Sequence, residues 1–168
     1  MDTDENRGDT AATYCFTVAL LEDRYGALTE HIDTLRLAFR AARDRYPFEM
    51  KAGVILPDHL HCILTMTAAS GRRSARWRLI KGLFGRVIEG GREIWKPDFE
   101  EHRVADDAEL TLRIDRVHAD PVRHGLVRLA RDWPYSSFHA YVASGLRPMY
   151  WSDDAGSRDA SPFARRAA

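Results

Sequence analysis

The stretch Val54–Met66, VILPDHLHCILTM, decides how the chain is read. Two β-prone runs flank Pro57-Asp58, a pair that interrupts a strand and favours a turn. So short a link joins antiparallel neighbours, and FEMKAGVIL before it and HLHCILTM after it predict two paired strands. Alternation along the second strand puts Leu60, Cys62 and Leu64 on one face and His59 with His61 on the other. Same-face neighbours lie roughly 7 Å apart at Cα, close enough for two imidazoles to converge on one divalent ion. Core or surface imidazoles fit the same pattern, and spacing alone does not separate these readings.

Working outward, TYCFTVAL sets Tyr14, Phe16, Val18 and Leu20 against Cys15, Thr17 and Ala19, the alternation of a strand. Leu28, Ile32, Leu35, Phe39 and Ala42 then recur at helical spacing, and that helix must stop before Pro47. A second helix is predicted over Ser74 to Ile88, with Trp77, Ile80, Phe84 and Ile88 inward and its basic residues outward. REIWKPDFEEH, with Trp95 and Phe99, predicts a short fourth strand. Asp106 and Glu109 have the spacing of a capping box opening a third helix, which should end or kink before Pro121, with Gly125 as a later stop. A last short helix follows Pro134 over YSSFHAYVASG. The order βαββαβα predicts an α+β architecture, an antiparallel sheet with helices packed on one face. Residues 1–11 are expected to be a disordered N-terminus and 152–168 a mobile C-terminal tail, leaving 12–151 as one domain.

Composition excludes some classes and leaves others open. At 45% apolar and 30% charged residues the chain is ordinary for a globular protein. No apolar run approaches the roughly 20 residues of a membrane span, and the acidic opening MDTDENRGDT is not a secretory signal. Cys15 and Cys62 both fall in predicted strands and read as buried thiols of a reducing cytoplasm. Lysine plus arginine number 25, as do aspartate plus glutamate, so the chain is not a uniformly basic binder. The charge is nevertheless segregated. No acidic residue occurs from His59 to Ile88, a span holding Arg72, Arg73, Arg76, Arg78, Lys81 and Arg86. A polyanion-binding face and a solvated helix face both fit that run.

Three segments, LPDHLHCIL, HADPVRHGLV and DWPYSSFHAY, resemble in order and spacing the REP-associated tyrosine transposases, a branch of the HUH single-strand DNA endonuclease superfamily. RYPFEMKAGVILPDHLHCILT, SARWRLIKGLF and IWKPDFEEH extend the resemblance over about Tyr14 to Trp151. It implies a ferredoxin-like core with His59 and His61 holding Mg²⁺ or Mn²⁺ against a DNA phosphate. It also implies a tyrosine from the late helix that attacks phosphorus and leaves a 5′-phosphotyrosine, and a polar ligand one turn further on. Substrates in such a family are single-stranded hairpins of repetitive palindromes, and a monomer is expected.

The late-helix motif of the family reads Tyr-x-His-x-Asn-Pro-Val-Arg-x-Gly. Against RVHADPVRHG this sets Arg116 at the tyrosine position and Asp120 at the asparagine position. Aspartate is a good oxygen ligand for a divalent ion, so Asp120 keeps the metal role. A guanidinium has donors only and no oxygen to esterify, so Arg116 predicts impaired strand transfer. Two unit positive charges about 4 Å apart repel by about 4 kcal/mol at an effective dielectric near 20, so Arg116 also sits badly beside a cation. Four residues apart on a helix, Arg116 and Asp120 can instead pair with each other. Other routes to activity are a substitute tyrosine, Tyr135 or Tyr141 foremost, or an activated water; a non-catalytic binding module is the remaining reading. Arg72, Arg73, Arg76 and Arg78 around Trp77 are candidate phosphate contacts, as is Arg123, whereas Trp77 itself fits the apolar stripe. Asp58 is placed to orient a histidine, and His102 has either a site or a surface role.

Overall fold

Four strands in the computed structural model, which describes residues 10–67, 72–90 and 92–152, build one antiparallel sheet of order β2-β3-β1-β4. They are β1 (Ala12–Ala19), β2 (Glu49–Ile55), β3 (His59–Met66) and β4 (Glu100–Arg103). The Pro57-Asp58 turn joins β2 to β3 as antiparallel neighbours, and β1 runs antiparallel to β3 with Ala19 opposite His59 and Thr17 opposite His61. The expected terminal disorder falls almost wholly outside the described residues.

The described residues also form five α-helices: α1 (Ala27–Glu30), α2 (Ile32–Arg45), α3 (Arg73–Glu89), α4 (Asp107–Arg123) and α5 (Phe138–Ala143). None of the described helices is long and apolar enough to cross a membrane. Alternation decides which residues each face receives. Phe16, Val18, Leu60, Cys62 and Leu64 turn to one side and bury against Leu35 and Ala38 of α2 and Trp77, Ile80 and Phe84 of α3. Trp77 is 1% exposed and meets Phe16 edge-on at 5.3 Å between ring centroids, in the core as its apolar stripe requires.

The antiparallel α+β architecture and the shared face of α2 and α3 match the sequence expectation, but α4 does not join them. It lies across the opposite face, where Ile114 and Val117 pack against Ala52, Val54, Leu56 and Ile63. Its N-terminus is capped as predicted: Asp106 accepts from the Glu109 N–H at 2.8 Å, and Glu109 reaches back to the Ala105 N–H at 2.8 Å. The helix does not end before Pro121, which lies inside it. Two residues from the helix end, the ring forfeits little of the ladder, and the His124 N–H still donates to the Asp120 carbonyl at 2.9 Å. The fourth strand is shorter than expected, for Trp95 makes only an isolated bridge to Leu20 and is held by its Nε1–H donating to the Lys81 carbonyl at 3.2 Å.

After α4 the chain covers the outer edge of β2. The Ile55 N–H donates to the Tyr135 carbonyl at 2.9 Å, and Ser137 exchanges bonds with Gly53, its N–H giving to the carbonyl at 2.8 Å and its Oγ accepting from the N–H at 3.0 Å. An edge that would otherwise template another strand is thereby closed.

Candidate metal centre and nucleic-acid interface

β3 sends His59 and His61 to the α4 face, and the continuous turn of α4 through Pro121 brings Asp120 and His124 over them. The His59 Nε2 stands 3.8 Å, the His61 Nε2 3.2 Å and the His124 Nε2 3.4 Å from one oxygen, Asp120 Oδ2. The His59 ring centroid lies 5.0 Å from those of both His61 and His124. Among the described residues, His59, Asp120 and His124 form the group whose donor atoms all fall within 4.8 Å of one another, the spacing of a metal site. Of the sequence-predicted trio, His59 and Asp120 belong to that group, whereas His61 approaches Asp120 at 3.2 Å without joining it, and His124, which the sequence analysis does not single out, takes the third place. His124 carried a signal in its i,i+4 spacing from Asp120; an expected break at Pro121 hid it.

The outer partners fix the rings. Asp58 accepts from the His59 Nδ1–H at 2.7 Å, which turns Nε2 towards Asp120. Thr17 Oγ1 lies 2.8 Å from the His61 Nδ1 and orients the second ring in the same way. Burial works against a charged imidazole at His59, but Asp120 and Asp58 outweigh it and raise the pKa to about 9. Burial likewise pushes the Asp120 carboxyl up, yet His124, His59 and His61 together hold it well below the usual carboxylate range. Asp120 Oδ2 is buried and makes no hydrogen bond of good geometry. An aimed, ionised carboxylate oxygen beside imidazole nitrogens is a donor set that suits a divalent cation.

Comparison with known proteins decides the family. No protein-family model matches the chain. It is 41% identical over 143 residues to the REP-associated tyrosine transposase of Escherichia coli K12, covering 84% of this chain and 86% of that one. The chain belongs to the REP-associated tyrosine transposase family. A Haemophilus influenzae protein that provisionally carries the same family name is 33% identical over 153 residues, covering 82% of this chain and 86% of its own length. Among solved structures, a REP-associated tyrosine transposase bound to a REP hairpin superposes with a TM-score of 0.82 at 37% identity, over 96% of this chain and all of that one.

In this transposase-family chain the predicted DNA contacts separate. Arg72, Arg73 and Arg78 are exposed on α3 or at its start, and Arg123 is exposed at the end of α4. Arg73 donates through Nε to Glu101 at 2.7 Å and lies over the Tyr14 ring at 4.4 Å. Arg78 lines a cleft of about 410 Å³ with Lys81, Arg86 and Lys96, a basic groove between α3 and the segment 92–99. Arg76 is a correction. It is 1% exposed and donates to the Tyr46 and Pro47 carbonyls, each at 3.1 Å, so its guanidinium caps the end of α2 and is not presented to a phosphate. Helical period alone put it outside, but α2 lies against that flank of α3 and covers it.

Arg116 is exposed on α4 one turn before Asp120, whose described ion pairs run to the three imidazoles. Tyr141 donates its hydroxyl to the Lys51 carbonyl at 2.7 Å, Tyr135 lies in the segment that pairs with the β2 edge, and Tyr14 faces the α2–α3 side. His102 contacts Glu109 at 2.6 Å, near the start of α4 and roughly 16 Å of helix before Asp120, so it does not join the cluster.

Proposed function

We propose that this chain binds a single-stranded REP-type hairpin, as a monomer, and that the strand cleavage and joining of its family is impaired in it by Arg116. The observation that carries the reading is the match, over 96% of this chain, to a relative bound to a REP hairpin. Exposed Arg72, Arg73, Arg78 and Arg123 are the proposed phosphate contacts. His59, His61 and Asp120 are the proposed ligands of a divalent ion, Mg²⁺ or Mn²⁺, which would polarise a phosphoryl oxygen and offset charge in the transition state. Asp58 and Thr17 keep the two imidazoles aimed, so that little reorganisation is needed when the phosphate arrives. Arg116 stands at the family's tyrosine position, and a guanidinium cannot form the phosphate ester.

The test incubates a labelled REP hairpin and Mn²⁺ with the wild-type chain and with Arg116→Tyr. Both are expected to shift the hairpin on native gels, and only Arg116→Tyr to give a covalent adduct on denaturing gels. A wild-type adduct would show that another nucleophile serves. If Arg116→Tyr gains no cleavage, the missing phenol is not a sufficient cause. Hairpin binding indifferent to chelator and to His59→Ala would favour a purely non-catalytic binding module.

A further inference from the structure

We propose that His124 is a ligand of the same cation, and that it tilts the centre from Mg²⁺ towards ions that bind imidazole more strongly, Co²⁺ and Zn²⁺ ahead of Mn²⁺. The inference rests on the reading of this site as a cation centre. In the motif that carries the family resemblance, 124 is an unspecified position. Here it belongs to the tightest donor group: His59, Asp120 and His124 come within 4.8 Å of one another.

The backbone fixes this arrangement. His124 is the first residue beyond α4, and its N–H donates to the Asp120 carbonyl at 2.9 Å, so the two side chains leave the helix one turn apart on one flank. The His124 side chain is 15% exposed, with Nε2 directed at the carboxylate oxygen that the other two imidazoles approach. A surface histidine drawn to an aspartate needs only that one contact. Its ring centroid also lies 5.0 Å from that of His59, so a second imidazole and the carboxylate are both within reach of one ion.

Donor chemistry then sets the preference. Mg²⁺ demands near-octahedral oxygen ligands and keeps several waters, so three imidazoles and one carboxylate suit it poorly. Imidazole suits the later first-row ions, whose affinity rises from Mn²⁺ through Co²⁺ towards Zn²⁺.

Isothermal titration and thermal shift with Mg²⁺, Mn²⁺ and Zn²⁺, and the visible spectrum with Co²⁺, test this on the full chain as wild type, His124→Gln and His59→Gln. Wild type should bind Mn²⁺ and Zn²⁺, one per chain, at concentrations where Mg²⁺ has no effect. His124→Gln should weaken Zn²⁺ by about 10–100-fold, change the Co²⁺ spectrum and leave Mg²⁺ binding unaltered. As a check that needs no variant, the His124 ring nitrogen signal of the wild-type chain should move with those of His59 and His61 when Zn²⁺ is added. If His124→Gln matches wild type for every ion and the His124 signal stays still, while His59→Gln abolishes binding, the cation centre stands and His124 is not in it. If no ion binds wild type, or His59→Gln loses nothing, the cation centre itself is wrong and the ligand assignment falls with it.

Discussion

Beneath α2 and α3 the sheet presents Phe16, Val18, Leu60, Cys62 and Leu64 to a dry apolar layer, whereas beneath α4 the same strands present Thr17, His59 and His61 to Asp120 and His124. One alternating backbone serves both. The first face gains stability in proportion to the apolar area it removes from water. The second must take two ionisable groups, His59 at 2% exposure and Asp120 at 8%, out of water and recover that cost by pairing them. What the contrast teaches is a division of labour: one face stabilises the sheet, and the other uses that stability to hold a charged cluster in place. The division also separates two proposed functions, because the basic groove beside α3 and the imidazole cluster under α4 lie on opposite sides of the sheet.

Trp77→Ala should have the largest effect on stability, a loss of about 3–5 kcal/mol by urea unfolding, because it opens a cavity among Phe16, Phe39 and Phe99. If the faces are independent, cation binding by the folded fraction should not change. Asp120→Asn should follow, at about 3 kcal/mol near pH 6, since it strands a buried imidazolium. His59 is raised from 6.5 to about 9 in the folded chain, so its stabilisation is full below pH 6.5 and is lost as pH rises through about 9. The penalty of Asp120→Asn should therefore shrink in alkaline solution. A penalty that stayed constant from pH 6 to 10 would break the picture of a charge-compensated face.

Arg76→Met should cost about 1.5–3 kcal/mol for the lost charged hydrogen bonds and leave hairpin affinity alone. Arg78→Ala is its mirror: stability within about 0.5 kcal/mol of wild type, but weaker hairpin binding and a salt slope lower by about one unit. If Arg76→Met weakened binding and Arg78→Ala did not, burial would be a poor guide to this interface. An effect seen only in acid concerns His118, also on α4, which burial and then the nearby Arg147 and His139 depress from 6.5 to about 4. Its folded form binds fewer protons than the unfolded chain between those values, so stability should fall as pH drops from 6.5 towards 4, by up to about 1.4 kcal/mol per pH unit. His118→Phe should flatten that limb of the pH–stability curve.

The sequence alone determined what local period encodes. Asp120 came forward only through the resemblance to a family motif; alternation put His59 with His61 and Leu60 with Cys62 on opposite faces, helical spacing put Trp77 inside, and Asp106 and Glu109 announced the start of α4. Each depends on residues a few positions apart in one element. The tertiary structure decided what lies between elements. Period says which residues of α4 share a flank, not which side of the sheet that flank will meet, so the docking of the helix over the histidines was not legible in it. Neither was the burial of Arg76, which follows from α2 lying against α3. His124 stands between the two cases. Its spacing from Asp120 is visible in the sequence, but only the docked and unbroken end of α4 turns that spacing into a further donor.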